Sequence, residues 1–196
     1  DQKEQYLWPV LRGEKNCAFA QTEPDAGGDP GGMRTTAVLD GNHYVINGYK
    51  RYITGADKAD FFQLQAATDR EKGSRGGIST FLVDADTPGI KLVRYQQMMM
   101  DDRPWEISFE DVRVPATNLV GEEGEGFKLG QTWITAGRMR HAARGIGVAE
   151  RCMELSGSYT NQRETFGKKL SERQAVQFMM VDSWMDTKML RLFVYN

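Results

Sequence analysis

The spacing of apolar positions changes character along the chain. Residues 1–15 open with charged side chains and then gather Tyr6-Leu7-Trp8-Pro9-Val10-Leu11, which reads as the end of a helical stretch that begins mid-protein. From about 16 to 120 the pattern turns to short apolar runs broken by Gly and Pro. Tyr44-Val45-Ile46 lies between Asp40-Gly41 and Asn47-Gly48, two dipeptides whose glycines accept positive φ and so predict tight hairpin turns. Further strands are expected at Phe61 to Ala67, Ile78 to Val83, Ile90 to Tyr95 and Trp105 to Val114. In the last of these Trp105, Ile107 and Phe109 alternate with Glu106, Ser108 and Glu110. Strands this closely spaced predict a sandwich or barrel.

After Pro115 the glycines at 121, 124 and 126 close the β region, and a helical period begins near Glu125. Ala142, Ile146, Ala149 and Met153 fall on one helical face, while Arg140, Arg144 and Arg151 cluster on another. This helix is expected to run to about Arg163. A second is expected from Ser171, with Ser171 and Gln174 as a capping box. Its apolar stripe would be Phe178, Val181, Met185, Met189 and Leu192, widened by Val176, Met180 and Trp184. The fold class that follows is α+β: an antiparallel β-sandwich or barrel, then long antiparallel helices of an incomplete four-helix bundle. The expected limits are 1–15 for the end of a helical region, 16–120 for the β domain and 121–196 for the helical domain. A helix apolar over so broad an arc expects neighbours on several sides, from a longer chain or from another copy.

Composition removes several function classes. Lys and Arg total 25 against 27 Asp and Glu, so no global field draws in nucleic acid or an anionic membrane. Cys17 and Cys152 lack metal-ligand spacing and have only His43 and His141 to help, which argues against zinc and for cysteines buried as small hydrophobes. No apolar run approaches the roughly 18 residues of a membrane span, and no signal-peptide core is present. The expected setting is a cytoplasm, or a mitochondrial matrix in a eukaryote.

The densest chemical signal is the run Cys17-Ala18-Phe19-Ala20-Gln21-Thr22-Glu23-Pro24-Asp25-Ala26-Gly27-Gly28-Asp29, a short strand entering a Pro and Gly turn. Consecutive glycines let backbone N–H groups converge on an anion, and the preceding Thr offers hydroxyl and amide to a planar heteroaromatic ring, a combination that suits a dinucleotide. Residue types alone favour the plainer alternative, a hairpin loop with acidic decoration.

Four segments in order bear on that choice. Thr22-Glu23-Pro24-x-Ala26-Gly27-x-Asp29 resembles the signature turn of the acyl-CoA dehydrogenase family. Asn47-Gly48-Tyr49-Lys50-Arg51-Tyr52-Ile53-Thr54 resembles its second flavin strand. Phe109-Glu110-Asp111-Val112-Arg113-Val114-Pro115 resembles its domain junction, and Arg163-Glu164-Thr165-Phe166-Gly167-Lys168-Lys169-Leu170 its inter-helix loop. Asp86-Thr87-Pro88-Gly89 is similar as well. The resemblance implies FAD as cofactor and α,β-desaturation of an acyl-CoA thioester, with electrons passed to an electron-transfer flavoprotein or another acceptor.

It also implies roles by position. Phe19, Gln21 and Thr22 would edge the isoalloxazine, and Gly27 and Gly28 would approach the diphosphate. Tyr52, where Trp is usual, would pack against the ring, and Thr54 would hydrogen-bond near the reactive nitrogen; Tyr52 could otherwise fill the β core. Arg163, Thr165, Phe166, Arg173 and Gln174 match residues that reach the FAD of a neighbouring subunit, in a homodimer or homotetramer. Read without the resemblance, 163–169 is a solvated basic loop. Gly28, where Ser is common, and Arg138 would meet acyl-CoA. The family's catalytic Glu would fall at Gly137 or beyond Asn196, and Glu23, Glu106 and Glu150 read as ordinary surface carboxylates. Such a stretch alone is expected to be inactive. A flavin oxidase or monooxygenase, or a non-catalytic binding protein on the same fold, are the competing readings.

Overall fold

The strands form where the sequence carries its short apolar runs. A computed structural model describes all of residues 1–196, in two compact units, Asp1–Gln131 and Thr132–Asn196. In the first unit a π-helical turn (Lys3–Leu7) runs into α1 (Trp8–Leu11). Then come β1 (Cys17–Ala20), β2 (Thr36–Asp40), β3 (His43–Ile53), β4 (Phe61–Ala67), β5 (Ile78–Asp84), β6 (Ile90–Tyr95) and β7 (Trp105–Pro115). They make one seven-stranded sheet in the order β1-β4-β2-β3-β7-β6, with β5 also paired to β4. β2–β3, β3–β7, β6–β7 and β4–β5 pair antiparallel. The sheet is nonetheless mixed, because β1 and β2 both run parallel to β4, β1 along Phe61–Leu64 and Thr36 at Ala67.

β4 and β5 are buried on both faces, which is why their runs read as nearly continuous rather than alternating. Phe62, Leu64, Ala66, Phe81 and Val83 join the main core with Ile46, Ile107, Phe109 and Val112. Phe61 and Leu82 point the other way, where Tyr6 of the N-terminal turn packs on Phe61 at 4.7 Å between ring centres. Full burial of each such Phe, Leu, Ile or Val side chain contributes about 1.5–3 kcal/mol.

Gly41 makes the expected turn between β2 and β3, at φ +63°. Asn47-Gly48 does not turn: β3 runs straight through, with a bulge against β7 between Ile46 and Gly48. Asn47 instead closes on Asp111, which stands at φ +51°: its Nδ2 donates to Asp111 Oδ1 (3.0 Å) and its Oδ1 accepts the Asp111 N–H (2.8 Å). Gly48 is required for close approach, since a Cβ there would lie 2.3 Å from Thr35 Oγ1 and 2.6 Å from Thr35 Cα.

α2 (Gly126–Gln162) begins in the first unit, and its remainder pairs antiparallel with α3 (Gln174–Tyr195) in the second. The seam runs through Gly157 beside Met180, Met153 beside Thr187 and Glu150 paired with Arg191 at 2.8 Å. Of the broad apolar arc read from the sequence, Phe178, Val181, Met185, Met189 and Leu192 are exposed, and Val176 and Met180 are half-buried. The face of α3 that meets α2 carries Met180, Thr187 and Arg191. The capping box is also absent: Ser171 lies in a 3₁₀ turn (Leu170–Glu172), and α3 starts at Gln174 without a side-chain cap. Both cysteines are exposed rather than buried as small hydrophobes, Cys17 at the outward first position of β1 and Cys152 on α2.

Candidate functional site

The turn after β1 is fixed from beneath. Ala18 and Ala20 bury their methyls in the core, so Phe19 faces the other way, half-exposed, and Gln21 and Thr22 follow half-buried. Glu23 and Ala26 exchange backbone hydrogen bonds (3.0 and 3.3 Å), and the Arg51 N–H donates to Thr22 O at 2.8 Å. Lys50 Nζ donates to Gln21 O at 2.9 Å and to Glu23 Oε1 at 2.8 Å. The Glu23 carboxylate also accepts the N–H groups of Arg34 (2.6 Å) and Thr35 (3.0 Å). Both charged side chains are interior, 0% exposed for Lys50 and 3% for Glu23. Burial pushes the ammonium down to about 8 against the pull of Glu23. Burial would raise the Glu23 carboxyl, but Lys50 and the hydrogen bonds from Thr35 and Arg34 hold it below the usual carboxylate range.

Gly27 and Gly28 lie beyond this anchored part, exposed, with no heavy atom within 4 Å of where a Cβ would stand. The backbone there is open to a bulky anion, which fits the diphosphate of a dinucleotide. The end of β3 borders the same turn through the Thr22–Arg51 bond. Tyr52 stands at φ +60° and is 48% exposed, so it does not fill the core. The Arg51 guanidinium lies 4.7 Å from its ring centre. Ile53 is buried and Thr54 exposed. Phe19, Gln21, Thr22, Tyr52 and Thr54 thus come from two stretches that one backbone bond ties together.

Glu106 is likewise interior rather than a surface carboxylate. It accepts from Tyr49 Oη (2.6 Å), from Arg94 through two nitrogens (2.7 and 3.1 Å) and from Gln96 (2.6 Å), with Arg51 Nε at 3.2 Å. Hydrogen bonding from Arg94 leads in holding its carboxyl low. Lys50 carries a signal that the sequence reading passed over, since it continues the inward period of Tyr44, Ile46 and Gly48 on β3. Glu106 carries none, because the alternation of Trp105, Ile107 and Phe109 places it on the opposite face.

In the second unit β8 (Glu164–Thr165) and β9 (Lys168–Lys169) form a hairpin whose two central residues have positive φ, Phe166 at +50° and Gly167 at +71°. The turn drives Phe166 outward, 99% exposed. Arg173 donates to the backbone oxygen of Thr165 and to its Oγ1 (3.2 Å), and its guanidinium lies 5.9 Å from the Phe166 ring centre. The Leu170 N–H donates to Arg163 O at 2.9 Å, and Gln174 opens α3. Arg163, Thr165, Phe166, Arg173 and Gln174 lie on or beside one hairpin, and of residues 163–169 all but Thr165 are exposed, as in a solvated basic loop. Arg138 is exposed on α2, followed by Arg140, His141 and Arg144. No cluster of three or more metal-ligating side chains occurs, and no helix is long and apolar enough to cross a membrane.

Comparison with known proteins points the same way. The acyl-CoA dehydrogenase middle-domain model matches residues 18–112, and the acyl-CoA dehydrogenase C-terminal-domain model matches 124–196. A short-chain-specific acyl-CoA dehydrogenase of Clostridium acetobutylicum is 39% identical over 198 aligned residues, covering 100% of this chain and 52% of that protein. The solved butyryl-CoA dehydrogenase of Megasphaera elsdenii superposes with a TM-score of 0.92 at 38% identity, over 99% of this chain and 51% of that one. A structure described as PigA with FAD and proline superposes at 0.93 with 32% identity, over 98% and 51%. The chain thus spans about half the length of the relatives it matches. Two successive domain models of one family cover most of its residues, and on that ground the chain belongs to the acyl-CoA dehydrogenase family.

Proposed function

We propose that this chain forms the flavin-holding part of an FAD-dependent acyl-CoA dehydrogenase that desaturates an acyl-CoA thioester between its α and β carbons. The observation that carries the reading is the edge where the Thr22 turn is bonded to the end of β3, with Gly27 and Gly28 open beside it. Thr22 offers its amide and hydroxyl to the rim of the isoalloxazine. Gly27 and Gly28 bring backbone N–H groups to the diphosphate, Tyr52 lies along the ring, and Thr54 donates its hydroxyl near the reactive nitrogen. Bound FAD supplies the acceptor for the hydride that leaves the β carbon.

The remaining roles fall to groups that bind and orient. Gly28 leaves room beside the cofactor for the thioester, and Arg138 meets the acyl-CoA from α2. Arg163, Thr165, Phe166, Arg173 and Gln174 reach the cofactor of a neighbouring copy in a homodimer or homotetramer, where a guanidinium provides several donors for a diphosphate. Glu23 and Glu106 are both engaged by several donors and held ionised in the interior, so neither is poised to take the α-proton. Electrons leave to an electron-transfer flavoprotein or a comparable acceptor.

The test is a visible absorption titration of the purified protein with FAD. Stoichiometric binding with both flavin bands and quenched fluorescence is expected, weakened about tenfold in Thr22→Ala. A protein that retains no flavin after gel filtration and leaves the bands and fluorescence of added FAD unchanged would refute the reading.

A further inference from the structure

The Lys50–Glu23 pair lies behind the candidate flavin edge. Its burial needs a reason beyond stability, because desolvating an ammonium and a carboxylate costs several kcal/mol per ion and apolar residues of similar volume serve a core as well or better. Its geometry gives one. Lys50 spends one hydrogen bond on its counter-ion and another on Gln21 O, the carbonyl of the peptide that leads into Thr22. A carbonyl accepting from an ammonium fixes the plane of its own peptide group, and that same group carries the Thr22 N–H on its opposite side. The next residue along β3, Arg51, holds Thr22 O through its N–H. Both peptide planes flanking Thr22 are thereby set by consecutive residues of β3. Glu23, accepting from Lys50, Arg34 and Thr35, keeps the ammonium from turning away.

Resting on the flavin reading above, we infer that Lys50 is a positioning residue of the flavin site: through Gln21 O it orients the Gln21–Thr22 peptide so that the Thr22 N–H points outward at the cofactor, and Glu23 holds it in place. Lys50 touches no reacting atom; it acts through the peptide it grips.

The experiment compares wild type, Lys50→Met and the double variant Lys50→Met/Glu23→Gln by thermal denaturation and by FAD titration with recorded absorption spectra. Lys50→Met alone strands a buried carboxylate, and its loss of stability would be uninformative by itself. The double variant removes both charges, while the side-chain amide carbonyl introduced by Glu23→Gln still accepts an N–H from the Arg34–Thr35 segment, so its melting temperature is expected to return towards wild type. Its FAD affinity is expected to stay about tenfold or more below wild type, with shifted flavin bands, because Gln21 O still lacks its donor. A double variant with wild-type affinity and bands would overturn the positioning role and leave the pair as packing alone. Absence of flavin binding by the wild type would instead strike at the flavin reading, and the assignment to Lys50 would fall with it.

Discussion

Among single residues, the glycines separate conformational need from ligand need. Gly48 sits where a Cβ would collide with Thr35 at 2.3–2.6 Å, including its Cα. Gly48→Ala is expected to lose about 3 kcal/mol or more in urea unfolding, since the bulge must open to admit the methyl. Gly27 meets nothing within 4 Å, so Gly27→Ala should change stability by no more than about 0.5 kcal/mol while weakening FAD binding. Equal destabilisation by the two would contradict this division. The sequence identified both glycines but assigned Gly48 to a turn, because Asn-Gly is the usual hairpin dipeptide. Only the fold, by bringing Thr35 against β3, reveals the close approach.

At the scale of elements, the β strands were legible and the helical seam only in part, through Met180 of the widened arc. β4, β5, β6 and β7 fall within a residue or so of the expected runs, because apolar continuity and Gly/Pro breaks are local properties. Burial of individual strand residues was less legible: Glu106 breaks the alternation of β7 by lying inside, where Arg94, Tyr49 and Gln96 compensate its charge. Along α3 several stripes satisfy a helical period, and the one that meets α2 carries Met180, Thr187 and Arg191. Gly157 in that seam has room to spare, the nearest atom to its absent Cβ being Met180 Cε at 3.9 Å. Gly157→Ala should therefore stabilise the helix pair by about 0.5–1 kcal/mol, read as a raised melting temperature. A lowered one would mean that the seam is tighter than the side chains show.

Over the whole molecule, pH couples to stability through interior charge. Glu23 and Glu106 titrate below the ordinary glutamate value of 4.5, so in the acid range the unfolded chain binds more protons than the folded one. Their contribution is complete above that value and is lost as pH falls through their lowered ones. Lys50 acts at the alkaline end: depressed from 10.5 to about 8, it gives up its proton first in the fold, so this group favours folding increasingly across that window. Melting temperatures recorded from neutral pH down to about 3 should fall less steeply in Glu106→Gln than in wild type, and parallel curves would show that Glu106 is not an acid trigger. The sequence by itself determined the strand and helix content, the two kinds of architecture in one chain and the segments that resemble the acyl-CoA dehydrogenase family, since these rest on local period and ordered motifs. The tertiary structure alone decided that Lys50 and Glu23 form an interior pair beneath the Thr22 turn and that Glu106 is buried among cationic partners. Such pairings depend on residues distant in sequence meeting where water is excluded, and no local pattern encodes which charge will find its partner there.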